Sequence, residues 1–203
     1  MQLLHGDCLE LLKEIPAGSV DMVLADPPFG TTCNDWDKKI PLEILWVGLK
    51  RVCKKNAAIL LFSQMPYTAD LVQSNRKMFR YEWIWQKSNK TGFLNARHMP
   101  LKEHESILVF YQKLPTYVPQ MLKGKEHQRV YKSNRSSTNY NFRHTANTVK
   151  TDEYYPGDIL KFPCCFHTGE TQVHPTQKPV SLLGGVLKRV FTIQALIKCG
   201  NIM

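Results

Sequence analysis

Six residues, Val20-Asp21-Met22-Val23-Leu24-Ala25, form a nearly unbroken apolar run that stops at Asp26-Pro27-Pro28-Phe29. A short run of this kind reads as a strand buried on both faces, as in a parallel sheet covered by helices. Two successive prolines cannot extend a strand ladder, because neither has an N–H to donate. The strand must end there, and its carboxyl end is where open α/β sheets place their ligand crevices. The neighbouring pattern agrees. Gln2-Leu3-Leu4 is a short strand candidate, and Leu9, Leu11, Leu12 and Ile15 mark a helix after it. Pro41 starts another helix, whose apolar face is Leu42, Leu45, Trp46, Leu49, Val52 and Cys53, with Lys50, Arg51, Lys54 and Lys55 at its end. Ala57 to Phe62 reads as a second buried strand, and Ser63-Gln64-Met65-Pro66-Tyr67 opens a helix running to about Asn75. This β-α-β-α order predicts a doubly wound α/β sheet with parallel neighbours.

The turn also has a chemical reading. The lone pair of an exocyclic amine on a nucleobase is delocalised into the ring, so the amine is a poor nucleophile. Two acceptors aimed at its N–H groups draw it toward a tetrahedral, nucleophilic geometry. Asp26 offers a carboxylate and Pro27 a backbone carbonyl on a stiff segment. Phe29 offers a flat face for stacking. A base reaches such a pocket only from a single strand or after flipping out of a duplex. The competing reading is a proline-terminated strand with a buried Phe, and four residues alone do not decide between the two.

Further along, Phe79 to Trp85 alternates, setting Tyr81, Trp83 and Trp85 on one face. Ser106 to Tyr111 is another strand, with His104 and Glu105 as structural polar groups at its entrance. Asp158 to Phe162 is a strand, and Leu182, Leu183, Val186, Leu187 and Val190 line one face of a last helix beginning at Pro179. Between Leu114 and Tyr155 the apolar periodicity disappears. Residues 113–150 carry Lys123, Lys125, Arg129, Lys132, Arg135 and Arg143 among other cations, against the single acid Glu126, with Tyr117, Tyr131, Tyr140 and Phe142 between them. Cations suit phosphates and aromatics suit stacked bases, so this stretch is the candidate DNA-binding region; a solvated loop is the alternative. The formal net charge of +10 points to a polyanionic partner as well. The six cysteines form no C-x-x-C pair, and no His spacing completes a zinc pattern, so no metal is expected and the thiols read as reduced. No apolar run is long enough to cross a membrane, which predicts a cytoplasmic protein.

Asp26-Pro27-Pro28-Phe29 and His174-Pro175-Thr176-Gln177-Lys178-Pro179, with the block from Lys87 to Glu105 between them, resemble the DNA amino-methyltransferases, which use S-adenosylmethionine. The resemblance covers about residues 1–191. It implies an adenine-N6 enzyme, since cytosine-N4 relatives more often carry Ser where Asp26 stands. It implies catalytic roles for Asp26, Pro27, Pro28 and Phe29, and double-stranded DNA as partner in a bacterial or phage setting. It implies S-adenosylmethionine contacts from Asp7, Asp26, His174, Pro175, Thr176, Gln177 and Lys178, with Asp7 also suited to capping a helix. It places part of the wall near the target base in the Gly30–Asp37 loop with Trp36, although Trp36 is as readily a packing residue. The expected layout is a catalytic α/β part at 1–112, an irregular basic recognition insertion at 113–157, a return to the catalytic domain at 158–191 and a divergent tail at 192–203.

One departure matters. In this motif order a Phe-x-Gly-x-Gly strand should follow the last helix, its glycines letting the backbone approach the cofactor. No Gly-x-Gly occurs in the chain. The expectation is therefore an incomplete doubly wound Rossmann-like sheet, as after a truncation or frameshift, with weak or absent S-adenosylmethionine binding. The Asp26 strand would have an open edge, prone to pair with a homodimer mate or a second chain, unless the tail covers it. Two functions of different class follow: an adenine-N6 DNA methyltransferase impaired on its own, or a catalytically inactive DNA-binding remnant or subunit. Methylation of RNA or protein amides ranks behind both, since it usually has Asn in place of Asp26.

Overall fold

The computed structural model describes residues 4–34, 37–130, 148–165, 176–190 and 196–199. The chain forms two compact units, Met1–Val118 with Asp158–Met203, and Pro119–Gly157. In the first unit the elements run α1 (Cys8–Glu14), β1 (Val20–Ala25), α2 (Leu42–Val52), β2 (Cys53–Ser63), α3 (Tyr67–Ser74), β3 (Phe79–Thr91) and β4 (Lys102–Phe110). In the second lie β5 (Leu122–Val130) and β6 (Thr148–Tyr154), after which the first unit resumes with β7 (Ile159–Lys161), α4 (Val180–Arg189) and β8 (Leu196–Cys199).

The main sheet has the order β7-β3-β4-β2-β1-β8. β1 is parallel to β2, as its helical crossover requires. β4 is antiparallel to both β2 and β3, so the sheet is mixed where the alternation predicted parallel neighbours. The reason is local. The β3–β4 connection contains only a short 3-10 turn at Phe93–Asn95, and two strands joined that closely return as a hairpin. Both faces are covered nonetheless. Val23 and Ala25 point into a core with Leu12, Leu45, Trp46, Leu49, Tyr67 and Leu71 from α1, α2 and α3. Met22 and Leu24 point into a second core with Trp83, Trp85, Ile107, Leu182 and Val186, packed under α4. The near-continuous apolar character of β1 is thus what a strand between two helical layers needs, each fully buried aliphatic side chain contributing roughly 1.5–3 kcal/mol. Trp46 satisfies its buried indole N–H by donating to Ser74 Oγ at 2.8 Å.

Tyr81 shares its strand with Trp83 and Trp85 but is 37% exposed, because it lies at the rim while the two tryptophans reach the core. The edge of β1 is not open. Met22 to Ala25 pair in parallel with Leu196 to Cys199, so the tail supplies the ladder that was expected to be missing, and β7 and β8 are the outer strands. A partner strand would therefore meet one of those two rather than β1. The candidate strand at Gln2-Leu3-Leu4 falls mostly outside the described residues, with Leu4 itself irregular, and Trp36 lies outside them as well.

The described residues of the second unit include a regular pair of strands. β5 and β6 form an antiparallel pair, with Lys123 opposite Glu153 and His127 opposite Thr151. The His127 and Tyr154 rings stack at 4.2 Å, and the Tyr154 hydroxyl donates to the Lys125 carbonyl at 2.9 Å. Gly124 makes room for that ring, since a Cβ there would sit 2.7 Å from Tyr154. Polar strands lack the apolar alternation that betrays a half-buried strand, which is why the pairing was not legible in sequence. Lys123, Lys125 and the backbone of Arg129 belong to β5; Lys132, Arg135 and Arg143 lie outside the described residues.

Candidate active site

Immediately after β1, Asp26 to Phe29 leave regular structure and Pro27 is buried. Four side chains of alternating sign meet beside the turn. Lys178 Nζ lies 2.9 Å from Asp26 Oδ2 and 3.2 Å from Glu105 Oε2, and Lys87 Nζ lies 2.5 Å from Glu105 Oε1. Asp26 is the most exposed of the four, with 21% of its side chain reaching solvent. Glu105 Oε2 has Lys178 as a charge neighbour but no well-directed hydrogen bond. Lys178 also stands over the Phe29 and Phe62 rings, at 5.7 Å and 5.2 Å from their centroids.

These charges set one another's titration. Burial pushes the Asp26 carboxyl above the ordinary aspartate range, the Lys178 cation offsets only part of that, and Glu105 adds to it. Burial also raises Glu105, but there Lys178 and Lys87 outweigh it and hold that carboxyl below its usual value. Burial pushes Lys178 down, yet Asp26 and Glu105 together hold it above the ordinary lysine value. Lys178 is therefore charged and already shared between two carboxylates, rather than a bare cation facing an anion.

The loop after the turn is held by Asp37. Its carboxylate accepts backbone N–H bonds from Gly30 at 2.8 Å, Thr31 at 2.8 Å and Thr32 at 2.7 Å. Burial alone would raise the Asp37 carboxyl, but these donors hold it below the usual range. Gly30 sits at φ 64°, with the Lys39 side chain 2.7 Å from where a Cβ would be, so both conformation and space favour glycine. Phe29 stacks on Tyr67, with centroids 5.6 Å apart and planes 28° from parallel.

Two cavities flank the turn. The larger, about 380 Å³, is lined by Asp26 to Phe29, Thr31, Thr32, Asp37, the ends of β3 and β4, Cys164, Cys165 and Thr176 to Lys178. The other, about 330 Å³, is lined by Gly6 to Leu9, Leu12, Val23, Ala25, Asp26 to Pro28 and apolar residues of α2 and β2. Both volumes fall in the range of small-molecule sites. Asp26, Pro27 and Pro28 are common to the two walls.

The residues singled out in the sequence thus divide. Thr176, Gln177 and Lys178 join Asp26 to Phe29 in the larger cavity, while Asp7 lines the other. Asp7 also caps α1, accepting from the Leu9 N–H at 2.7 Å. His174 and Pro175 lie outside the described residues. Among the described residues no group of three His, Cys, Asp or Glu is placed to hold a metal, and no helix is long and apolar enough to cross a membrane. Glu105, read above as a strand-entrance group, belongs to the site wall, and Lys87 and Asp37 were not singled out. A signal for the first two was present. Glu105 has the same strand parity as Ile107 and Val109, and Lys87 that of Trp83 and Trp85, so each is a charge ending an apolar stripe of the second core. Asp37 left no such signal.

Comparison with known proteins gives likenesses in sequence and in fold. A family model described as DNA methylase (N6/N4) matches residues 20–193. DNA adenine methyltransferase YhdJ of Escherichia coli (strain K12) is 26% identical over 199 residues, which is 91% of this chain. The chain spans 65% of that relative's length. Among solved structures, the M1.HpyAVI–SAM complex has a TM-score of 0.55 at 17% identity, covering 94% of this chain and 78% of its own. The cytosine-N4-specific PvuII DNA methyltransferase has a TM-score of 0.59 at 14% identity, covering 95% and 71%. At those identities the two structures speak to the fold, which is shared.

Proposed function

The chain belongs to the N6/N4 DNA methylase family, and on that premise we propose that it methylates the N6 amine of an adenine flipped out of double-stranded DNA, with S-adenosylmethionine as donor. The observation that carries this reading is the pair of cavities meeting at Asp26-Pro27-Pro28. A transfer between two bound molecules needs two compartments that share one wall at the point of exchange. The larger compartment has the aromatic face of Phe29 and suits a planar base. The smaller has an apolar lining with the Asp7 carboxylate at its rim, a donor set that fits the nucleoside end of S-adenosylmethionine. Thr176 and Gln177 line the larger compartment beside Asp26, so they reach the donor only where its other end extends past the shared wall. When bound, S-adenosylmethionine supplies an electrophilic methyl on a sulfonium.

The chain's own residues do the rest. Asp26, ionised, accepts one N–H of the amine and the Pro27 carbonyl accepts the other, localising the nitrogen lone pair toward the transferring methyl. Phe29 holds the ring by stacking. Lys178 keeps Asp26 available as a carboxylate despite its burial, and Glu105 keeps Lys178 charge-balanced when the amine displaces it from Asp26. The methylated amine releases its extra proton to solvent. A cytoplasmic location alongside DNA follows from this reading.

The test is methyl incorporation into unmethylated duplex DNA from radiolabelled S-adenosylmethionine, with the product base identified by chromatography. We expect N6-methyladenine, and we expect Asp26→Ala to lower incorporation by at least about 100-fold while gel-shift affinity for DNA persists. Turnover surviving that substitution removes Asp26 from the mechanism. N4-methylcytosine as product overturns the adenine assignment. Duplex binding with no incorporation by the unmodified chain selects instead the catalytically inactive DNA-binding reading, which the absence of Gly-x-Gly motivates.

A further inference from the structure

The β3–β4 hairpin ends in a tip that the proposed reaction has not used. Leu94 is fully exposed, at 101% of its reference area, with Phe93 at 68% and Met99 at 52%. Three large apolar side chains on one short turn are unusual in contact with water, and such clusters mark interaction surfaces. The tip is a formed structure. Gly92 reverses the chain at φ 90°, and Asn95 N–H donates to the Gly92 carbonyl at 3.0 Å. Ala96, His98 and Met99 N–H groups donate back to Phe93 and Asn95 carbonyls within 3.1 Å. From Thr91 to Lys102 the sequence carries Arg97 and Lys102 and no acid. The stem leads directly into the site, since Asn89, Lys90 and Thr91 line the larger cavity just before the turn.

We propose that Phe93 and Leu94 form a wedge that enters a DNA duplex and occupies the gap left when the target base turns out toward Asp26. The proposal rests on the DNA-methylating reading above and adds to it the element that holds the duplex open. An unstacked base leaves a hole whose walls are the apolar faces of its neighbours, and inserted apolar side chains flanked by cations are how proteins fill such a step. A tip that is hydrogen-bonded within itself, apolar at its apex and free of negative charge suits that hole better than it suits water. Its continuity with the cavity wall favours DNA over a lipid or protein surface as occupant.

The experiment measures affinity by fluorescence anisotropy for a short labelled duplex and for the same duplex with a central abasic site, which offers the hole already made. The full chain is compared with the Phe93→Ser/Leu94→Ser double variant. We expect the parent chain to prefer the abasic duplex about tenfold, and the variant to lose that preference while binding the intact duplex within about threefold of the parent. A variant that keeps the preference, or a parent that has none, overturns the wedge. Equal loss on both probes also overturns it, making the tip a general DNA contact. Failure of the parent to bind either duplex would instead sink the DNA-methylating reading itself, a different result from a missing preference. Exposure of both side chains predicts unchanged thermal melting, which separates loss of the wedge from loss of the fold.

Discussion

At the scale of single residues, the proposed chemistry turns on one carboxylate, Asp26, that burial makes harder to ionise. On the proposed mechanism ionised Asp26 is the stronger acceptor for the amine, so turnover should rise with pH through a midpoint above the ordinary aspartate range and level off beyond it. The neighbours move that midpoint in opposite directions. Glu105→Gln removes a negative charge from beside Asp26, which lowers the Asp26 pKa and shifts the acid limb of kcat/KM to lower pH. Lys178→Gln removes the cation and shifts it to higher pH. Limbs that move together, or not at all, would show that these charges do not act through Asp26. Stability gives an independent sign. The folded-state pKa of Glu105 is depressed, so its ionised form adds stability above the unfolded value, and that stability is lost as pH falls through the folded one. Glu105→Gln should therefore cost about 3 kcal/mol at neutral pH, with the gap to the parent closing in acid.

Among the elements, the loop after the turn depends on a residue with no place in the chemistry. Asp37 gathers the Gly30, Thr31 and Thr32 N–H groups, and Thr31 and Thr32 form part of the cavity rim. Asp37→Ala leaves three donors without their acceptor. It should lower unfolding free energy by about 2 kcal/mol in a denaturant titration and raise the KM for DNA more than it lowers kcat. Asp37→Asn should recover part of both losses, since an amide has one acceptor oxygen where the carboxylate has two. A variant with the parent's KM would show that the rim needs no such anchor. The helices required less inference. Pro41 and Pro179 each stand just before a helix with apolar positions at the expected spacing: Leu45, Trp46, Leu49 and Val52 are buried in the first and Leu182, Leu183 and Val186 in the second, while Cys53 already belongs to β2. The strand directions were harder. Antiparallel β4 depends on the absence of a helix after β3, and the long stretch from Lys87 to Lys102 did not reveal in sequence that it was a hairpin and its tip.

For the whole molecule, the chain forms two compact units. Within the first unit, Val118 N–H donates to the Arg189 carbonyl and Ile84 N–H to the Asp158 carbonyl, each at 2.9 Å. Replacing the second unit, Pro119–Gly157, with a short Gly-Ser linker should leave one cooperative unfolding transition. It should also weaken duplex binding at least about tenfold and flatten its dependence on salt. Undiminished affinity with the same salt slope would take the basic hairpin out of DNA binding. The apolar run at Val20–Ala25, the prolines that end it and the amphipathic helices were enough to read a helix-covered α/β sheet whose strand stops at the Asp26 turn, because burial on both faces and a proline stop are written in local residue order. The pairing of β8 with β1, the union of Lys87, Glu105, Lys178 and Asp26, and the division of the site into two cavities came only with the tertiary structure. Those features join residues far apart along the chain, and whether distant strands meet or distant charges pair depends on packing that no local pattern encodes.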